Sequence, residues 1–162
     1  MQFSVGVEYA FHSLFYMVGL PNGKTIGIKQ IAELHAISET YLSKVFTKLS
    51  KAGIVRSISG AKGGYELARS SEDISFWDII EAVEGSSFFF QCAEIRKKNI
   101  FVDDPSVFTK KCPCLIKIVI HEAEELLREN LRAKSLRWLY DQVRADFTEL
   151  KKEAITAWIK AH

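Results

Sequence analysis

SETYLSKVFTKLSKAG, residues 38–53, followed directly by IVRSISGAKGGYELA, residues 54–68, decides the fold. Ser38 is suited to cap a helix, because its hydroxyl can accept from a first-turn amide that has no carbonyl partner. Leu42, Val45, Phe46 and Leu49 then recur at three- and four-residue steps, the stripe of a helix with one face on a core. Gly53 stops this helix, predicted over 39–52, as the glycine just past its end. Two short extended runs, 54–58 and 65–68, flank Ser59-Gly60-Ala61-Lys62-Gly63-Gly64, which has the glycines a hairpin needs.

Upstream, Phe3, Val7, Ala10, Phe11, Leu14 and Val18 mark one buried stripe of a helix over 3–20, closed by Pro21-Asn22-Gly23. Glu8 and His12, four apart, share a different stripe. Ile28, Ile31, Ala32 and Leu34 give a short helix over 25–36. Three helices, the last two close together, followed by a hairpin, is the order of a winged helix-turn-helix: a mainly α fold with a small β wing. A capped amphipathic helix with short polar side chains fits a major groove, and a basic hairpin beside it can touch phosphates. The candidate contacts to double-stranded DNA are Ser38, Thr40, Tyr41, Ser43, Lys44, Thr47 and Lys48 in the helix, with Arg56, Lys62, Gly63 and Tyr65 in or beside the wing. The competing account is a solvated helix face and an ordinary surface hairpin.

Charge agrees with a polyanionic partner for the first part of the chain only. Residues 1–70 hold eight Lys/Arg against four Asp/Glu, net +4; the remainder holds fourteen against sixteen, net −2. No run of apolar residues is long enough to span a bilayer, and the opening residues lack the basic segment of an export signal. Three cysteines, an odd count, argue against a disulfide framework.

Beyond the wing, Ser75 and Asp78 form a capping-box pattern that opens a helix over 75–84, closed by Gly85. Residues 86–111 are mixed, with Phe88-Phe89-Phe90, Arg96-Lys97-Lys98 and Asp103-Asp104-Pro105; a loop of this length in a compact chain is usually functional or mobile. Pro113 suits a first helical turn, and a long helix is predicted over 114–132. Ile116, Val119, Ala123, Leu126 and Leu127 make one stripe there; Leu115, Ile118 and Ile120 widen it, as if a second chain covered the excess. A membrane-surface role for this helix is disfavoured by Glu122, Glu124, Glu125 and Glu129. Two more helices, over 135–143 and 148–160, complete a division into a DNA-binding domain (1–85), a cysteine-bearing sensor loop (86–114), and a dimerisation helix with C-terminal helices (115–162).

Four readings of Cys92, Cys112 and Cys114 stand open. They are inert thiols; or a structural zinc site, which lacks the usual spacing and a fourth ligand; or a thiol switch, Cys92 bonding to Cys112 or Cys114 after oxidant or electrophile attack; or an iron–sulfur site completed by non-cysteine ligands. Adjacent cysteines preceded by lysines at a helix N-terminus favour thiolate. A thiol oxidoreductase is disfavoured, since no C-x-x-C stands in a βαβ setting and no substrate cleft is evident; the chain is expected not to be an enzyme.

Several stretches resemble the Rrf2 family of bacterial transcription regulators. They are Ile31-Ala32, Ile37-Ser38-x-x-Tyr41-Leu42, Leu49-x-x-Ala52-Gly53-Ile54-Val55, Gly60-x-x-Gly63-Gly64-Tyr65-x-Leu67-Ala68 and Asp78-Ile79-Ile80-x-Ala82-Val83-Glu84-Gly85. One departure is Ser59, where the family usually carries Arg; Arg56 and Lys62 offer charge nearby. The resemblance implies a bacterial cytoplasmic homodimer held by the long helix and bound to a palindromic operator. The cysteine spacing differs from the IscR or NsrR type of site and resembles the RsrR-like subgroup. That subgroup holds a [2Fe–2S] cluster across the dimer interface, through two cysteines of one subunit and a Glu and a His of the other. The matching positions are Cys112 and Cys114, with Glu8 and His12; Cys92 has a counterpart there as a near neighbour and is the additional candidate ligand. Tyr9, beside the Glu and His, is a candidate to move when the cluster's charge changes; it is a departure from the subgroup, which often carries Trp there. The implied function is a redox-responsive repressor; the alternative is a cluster-free repressor of the same fold that senses oxidants or electrophiles through its thiols.

Overall fold

A computed structural model describes residues 2–60, 63–108 and 113–161. Seven α-helices and one hairpin are present among them: α1 (Val5–Val18), α2 (Ile28–His35), α3 (Glu39–Lys51), β1 (Val55–Ile58), β2 (Gly64–Leu67), α4 (Phe76–Glu84), α5 (Leu115–Arg132), α6 (Leu136–Ala145) and α7 (Glu149–Ala161). Two short 3-10 turns, Ile95–Lys98 and Pro105–Val107, lie between α4 and α5.

The local reasons for these elements are the expected ones. The Ser38 hydroxyl accepts from the Tyr41 amide at 3.3 Å and opens α3. Ser75 and Asp78 exchange two hydrogen bonds, of 2.8 and 3.1 Å, in the capping box that opens α4. Gly53 has φ +67°, the left-handed conformation a residue past a helix end requires. The hairpin is antiparallel, Val55 opposite Leu67 and Ile58 opposite Gly64. Ile26 adds an isolated bridge to Tyr65, which shortens the second helix to Ile28–His35 against the expected 25–36.

The chain divides into two compact units. One comprises Gln2–Ser86 and the residues from Leu131 onward; the other is Ser87–Asn130. In the first, Ala10 and Leu14 of α1, Ile31 of α2, Leu42, Phe46 and Leu49 of α3, and Ile79 of α4 close one core. Leu136 of α6 is wholly buried in the same core. Phe76 carries the aromatic packing outward, 4.5 Å from Phe11 and 5.9 Å from Trp138 between ring centroids. The caps of α4 and α6 meet in a bridge between Ser75 and Ser135, with Phe76 donating to the Lys134 carbonyl and Leu136 to that of Ile74. By this clustering residues 131–162 group with the winged-helix unit, and residues 115–130 of α5 group with the cysteine stretch.

In Ser87–Asn130 the burial of α5 is the reverse of its apolar pattern. Its buried residues are Glu124 and Arg128, while Leu115, Ile116, Val119 and Leu126 are 74%, 64%, 63% and 68% exposed. The wide apolar stripe read from the sequence is uncovered within one chain. No helix among the described residues is long and apolar enough to cross a membrane.

Candidate functional site

The predicted DNA-contacting residues fall into two groups. Thr40, Lys44 and Thr47 lie exposed on α3, with Ser43 half-buried beside them. The others are engaged within the fold. Lys48 Nζ donates to the Val83 carbonyl at 2.6 Å, tying α3 to the end of α4. Arg56 donates to Glu66 across the hairpin at 2.6 Å. Tyr65 is half-buried, its ring edge-on to Phe46 at 5.0 Å. Tyr41 packs edge-on against Tyr9 of α1 at 5.6 Å. Gly63 follows the turn closely enough that a Cβ there would lie 2.6 Å from the Ile58 carbonyl oxygen. Lys62 lies outside the described residues.

Of the predicted ligands, Glu8 and His12 are both exposed, one turn apart on the same side of α1. The His12 ring stands 5.8 Å from that of His35, the last residue of α2. Burial, followed by the His12 charge, holds the His35 imidazole below its ordinary range, against an opposing hydrogen bond with the His12 backbone. His12 therefore has a ring of the helix-turn-helix, that of His35, as its neighbour.

Cys114 is half-buried immediately before α5, and its carbonyl accepts from the Ile118 amide. A hydrogen bond from the Lys117 amide pulls its thiol below the ordinary range; contacts with Cys92, the Ile116 amide and the Arg96 charge add to this, against partial loss of water. This is the effect of a helix N-terminus on a sulfur. Cys92 lies near it on the same groove, and each thiol is among the groups that shift the other's proton affinity. At Cys92 a hydrogen bond from the Glu94 backbone favours thiolate; loss of water, Cys114 and the Glu94 carboxylate outweigh it, and the thiol is pushed up. Its Sγ contacts Glu94 Oε1 at 3.6 Å. Both cysteines line a groove of about 560 Å³ with Ile95, Arg96, Pro113 and Ile116. Cys112 lies outside the described residues. Among the described residues no three His, Cys, Asp or Glu side chains stand together as a metal site.

Sequence reasoning missed what places Cys92. The Phe89 amide donates to Glu124 Oε2 at 3.0 Å, and Arg128 donates to Glu124 Oε1 at 2.6 Å. The Arg128 guanidinium lies over the Phe88 ring at 4.5 Å, and that ring stacks on His121 at 4.1 Å. His121 Nε2 donates to the Phe90 carbonyl at 3.1 Å. Phe88-Phe89-Phe90 is thus clamped along α5, and the chain leaving the clamp arrives with Cys92 opposite Cys114. The signal was present in part: Glu124 and Arg128 are four apart, a spacing that ordinarily marks a solvent-exposed pair.

The helices and hairpin define a protein of the winged-helix class. The chain belongs to the Rrf2 family, described as iron-dependent transcriptional regulators, whose family model matches residues 3–142. It is 30% identical over 123 residues to the HTH-type transcriptional regulator NsrR of Shouchella clausii, covering 76% of this chain and 77% of that one. The solved structure of T. potens IscR matches with TM-score 0.66 at 27% identity, covering 92% of this chain and 93% of that one. Oxidised Staphylococcus aureus CymR matches with TM-score 0.62 at 26% identity, over 92% and 99% of the two chains. The chain is accordingly a transcription regulator and not an enzyme.

Proposed function

We propose that this regulator is a homodimeric, redox-responsive repressor. Its operator affinity would follow the state of a [2Fe–2S] cluster held at the dimer interface by Cys112 and Cys114 of one subunit and Glu8 and His12 of the other. The observation that carries this reading is the position of Glu8 and His12: both are exposed on one face of α1, with the His12 ring beside His35 of α2 and Tyr9, next to Glu8 in sequence, beside Tyr41 of α3.

The residues present fit the group. A thiolate favoured at Cys114 suits one iron, and a carboxylate with an imidazole one turn apart suits the other. One-electron redox chemistry is what the cluster would supply when bound. The rest falls to the chain. Glu8 and His12 would register a change of charge; Tyr9, between them in sequence, would transmit it to Tyr41, and His12 to His35. The two recognition helices of a dimer must enter major grooves about 34 Å apart, so a small rotation of α1 against α3 is enough to alter operator fit. Thr40, Ser43, Lys44 and Thr47 would face the groove. The apolar α5 face, uncovered in one chain, supports pairing with a second copy.

Anaerobic purification with iron and sulfide supplied should give a coloured protein whose visible absorption bleaches on dithionite. Glu8→Ala and His12→Ala should each change or abolish that spectrum. A spectrum unchanged in both would remove the cross-subunit ligand set; a protein colourless throughout would leave the thiol-based reading in its place.

A further inference from the structure

We propose that Cys92 and Cys114 form a reversible intramolecular disulfide, with Cys92 held in place for it by the His121–Glu124–Arg128 clamp. The assignment rests on geometry within Ser87–Asn130 and stands whether or not the chain carries a cluster. The sequence alone left Cys112 and Cys114 as equal partners for Cys92; in the structure Cys92 and Cys114 line one groove within Ser87–Asn130, near enough for each thiol to influence the other.

The clamp explains how residues so far apart in sequence come to face each other. Glu124 is 5% exposed and Arg128 6%, and the Glu124 carboxylate accepts from both Arg128 and the Phe89 amide. His121 fixes the Phe90 carbonyl one turn nearer the start of the helix. Two anchors on α5 set the register of residues 88–90 along it, and with it the place where Cys92 arrives. A flexible loop of this length would bring the thiols together only occasionally; fixing one side raises their effective concentration.

The chemistry requires an oxidant of the hydroperoxide class. Peroxide transfers an oxygen to the Cys114 sulfur: the S–O bond forms, the O–O bond breaks, and a sulfenic acid and water result. Cys92 sulfur attacks that sulfur, the S–S bond forms, the S–O bond breaks, and the departing hydroxide leaves as water with the Cys92 proton. Two thiols and one peroxide give one disulfide and two waters; a dithiol reductant reverses it. Cys114 cannot be bridged and bind iron at once, so bridging and the proposed cluster exclude each other.

The test uses the full chain, reduced and freed of iron by chelation, exposed to hydrogen peroxide and quenched by alkylation. Trypsin places Cys92 in the peptide 70–96 and Cys114 in 112–117. A disulfide linking those peptides, retained in Cys112→Ser and lost in Cys92→Ser, is the expected result. Glu124→Gln should slow its formation about tenfold while leaving peroxide consumption by Cys114 unchanged. Melting curves would show whether that variant still folds, and Cys112→Ser against Cys92→Ser decides the pairing if it does not. Linkage through Cys112 alone, a bridge only between two chains, or an undiminished rate in a folded Glu124→Gln would overturn the proposal.

Discussion

His35 shows how one side chain ties stability to pH. Its Nε2 is buried without a hydrogen-bond partner, and burial together with the His12 charge lowers its affinity for a proton. In the unfolded chain the imidazole titrates near pH 6.5, at about its free value. Above that pH both states are neutral and nothing is lost. As pH falls through it, the unfolded chain takes a proton that the folded chain refuses, and stability declines by at most about 1.4 kcal/mol per pH unit until the folded-state value is passed. Melting temperatures between roughly pH 7 and 5 should therefore fall more steeply for the wild type than for His35→Phe. Parallel curves would show that His35 contributes no such penalty.

At the scale of elements, the wing depends on a close approach. A Cβ at Gly64 would lie 2.8 Å from the backbone carbon and oxygen of Ile26, the residue that hydrogen-bonds Tyr65 in both directions at 2.8 and 3.0 Å. Gly64→Ala should push that strand apart and cost about 1–3 kcal/mol in denaturant unfolding; a cost below a few tenths of that would mean the segment yields freely. The helices and their caps were legible because each is a local pattern: the Ser38 cap, the Ser75–Asp78 box and the apolar stripe of α3 need only neighbours in sequence. What was not legible depends on distant partners. Lys48 reads as a phosphate-seeking lysine until Val83, 35 residues on, supplies its acceptor. Glu124 and Arg128 read as a solvated pair until Phe88 and Phe89 fold over them. The stripe of α5 identified its apolar residues correctly, but a stripe does not say whether the same chain or another covers it. Glu8 and His12 were singled out by resemblance; spacing alone left them an ordinary helical pair.

At the scale of the whole molecule, the exposed α5 face and the α3 surface make separable predictions. If the chain pairs through α5 as proposed, Val119→Glu should convert that dimer to monomer in sedimentation and weaken operator binding with it, since paired half-sites need both recognition helices. An unchanged sedimentation coefficient would mean pairing lies elsewhere. Lys44→Ala should leave sedimentation unaltered, weaken binding on every DNA sequence alike, and lower the salt dependence by about one counterion; a loss confined to one operator sequence would make Lys44 a base reader. The bridge between Ser75 and Ser135 has a consequence for how such a protein can be rebuilt. It joins the chain before the cysteine stretch to the chain after it, and Leu136 then completes the core begun by α1. Residues 87–130 are in that sense an insertion between two halves of one folded body. An insertion can be lengthened, re-spaced or exchanged without rewriting the core that receives it, so a winged helix of this design can keep its folded body while the inserted segment, and with it the surface that pairs two copies, is rebuilt.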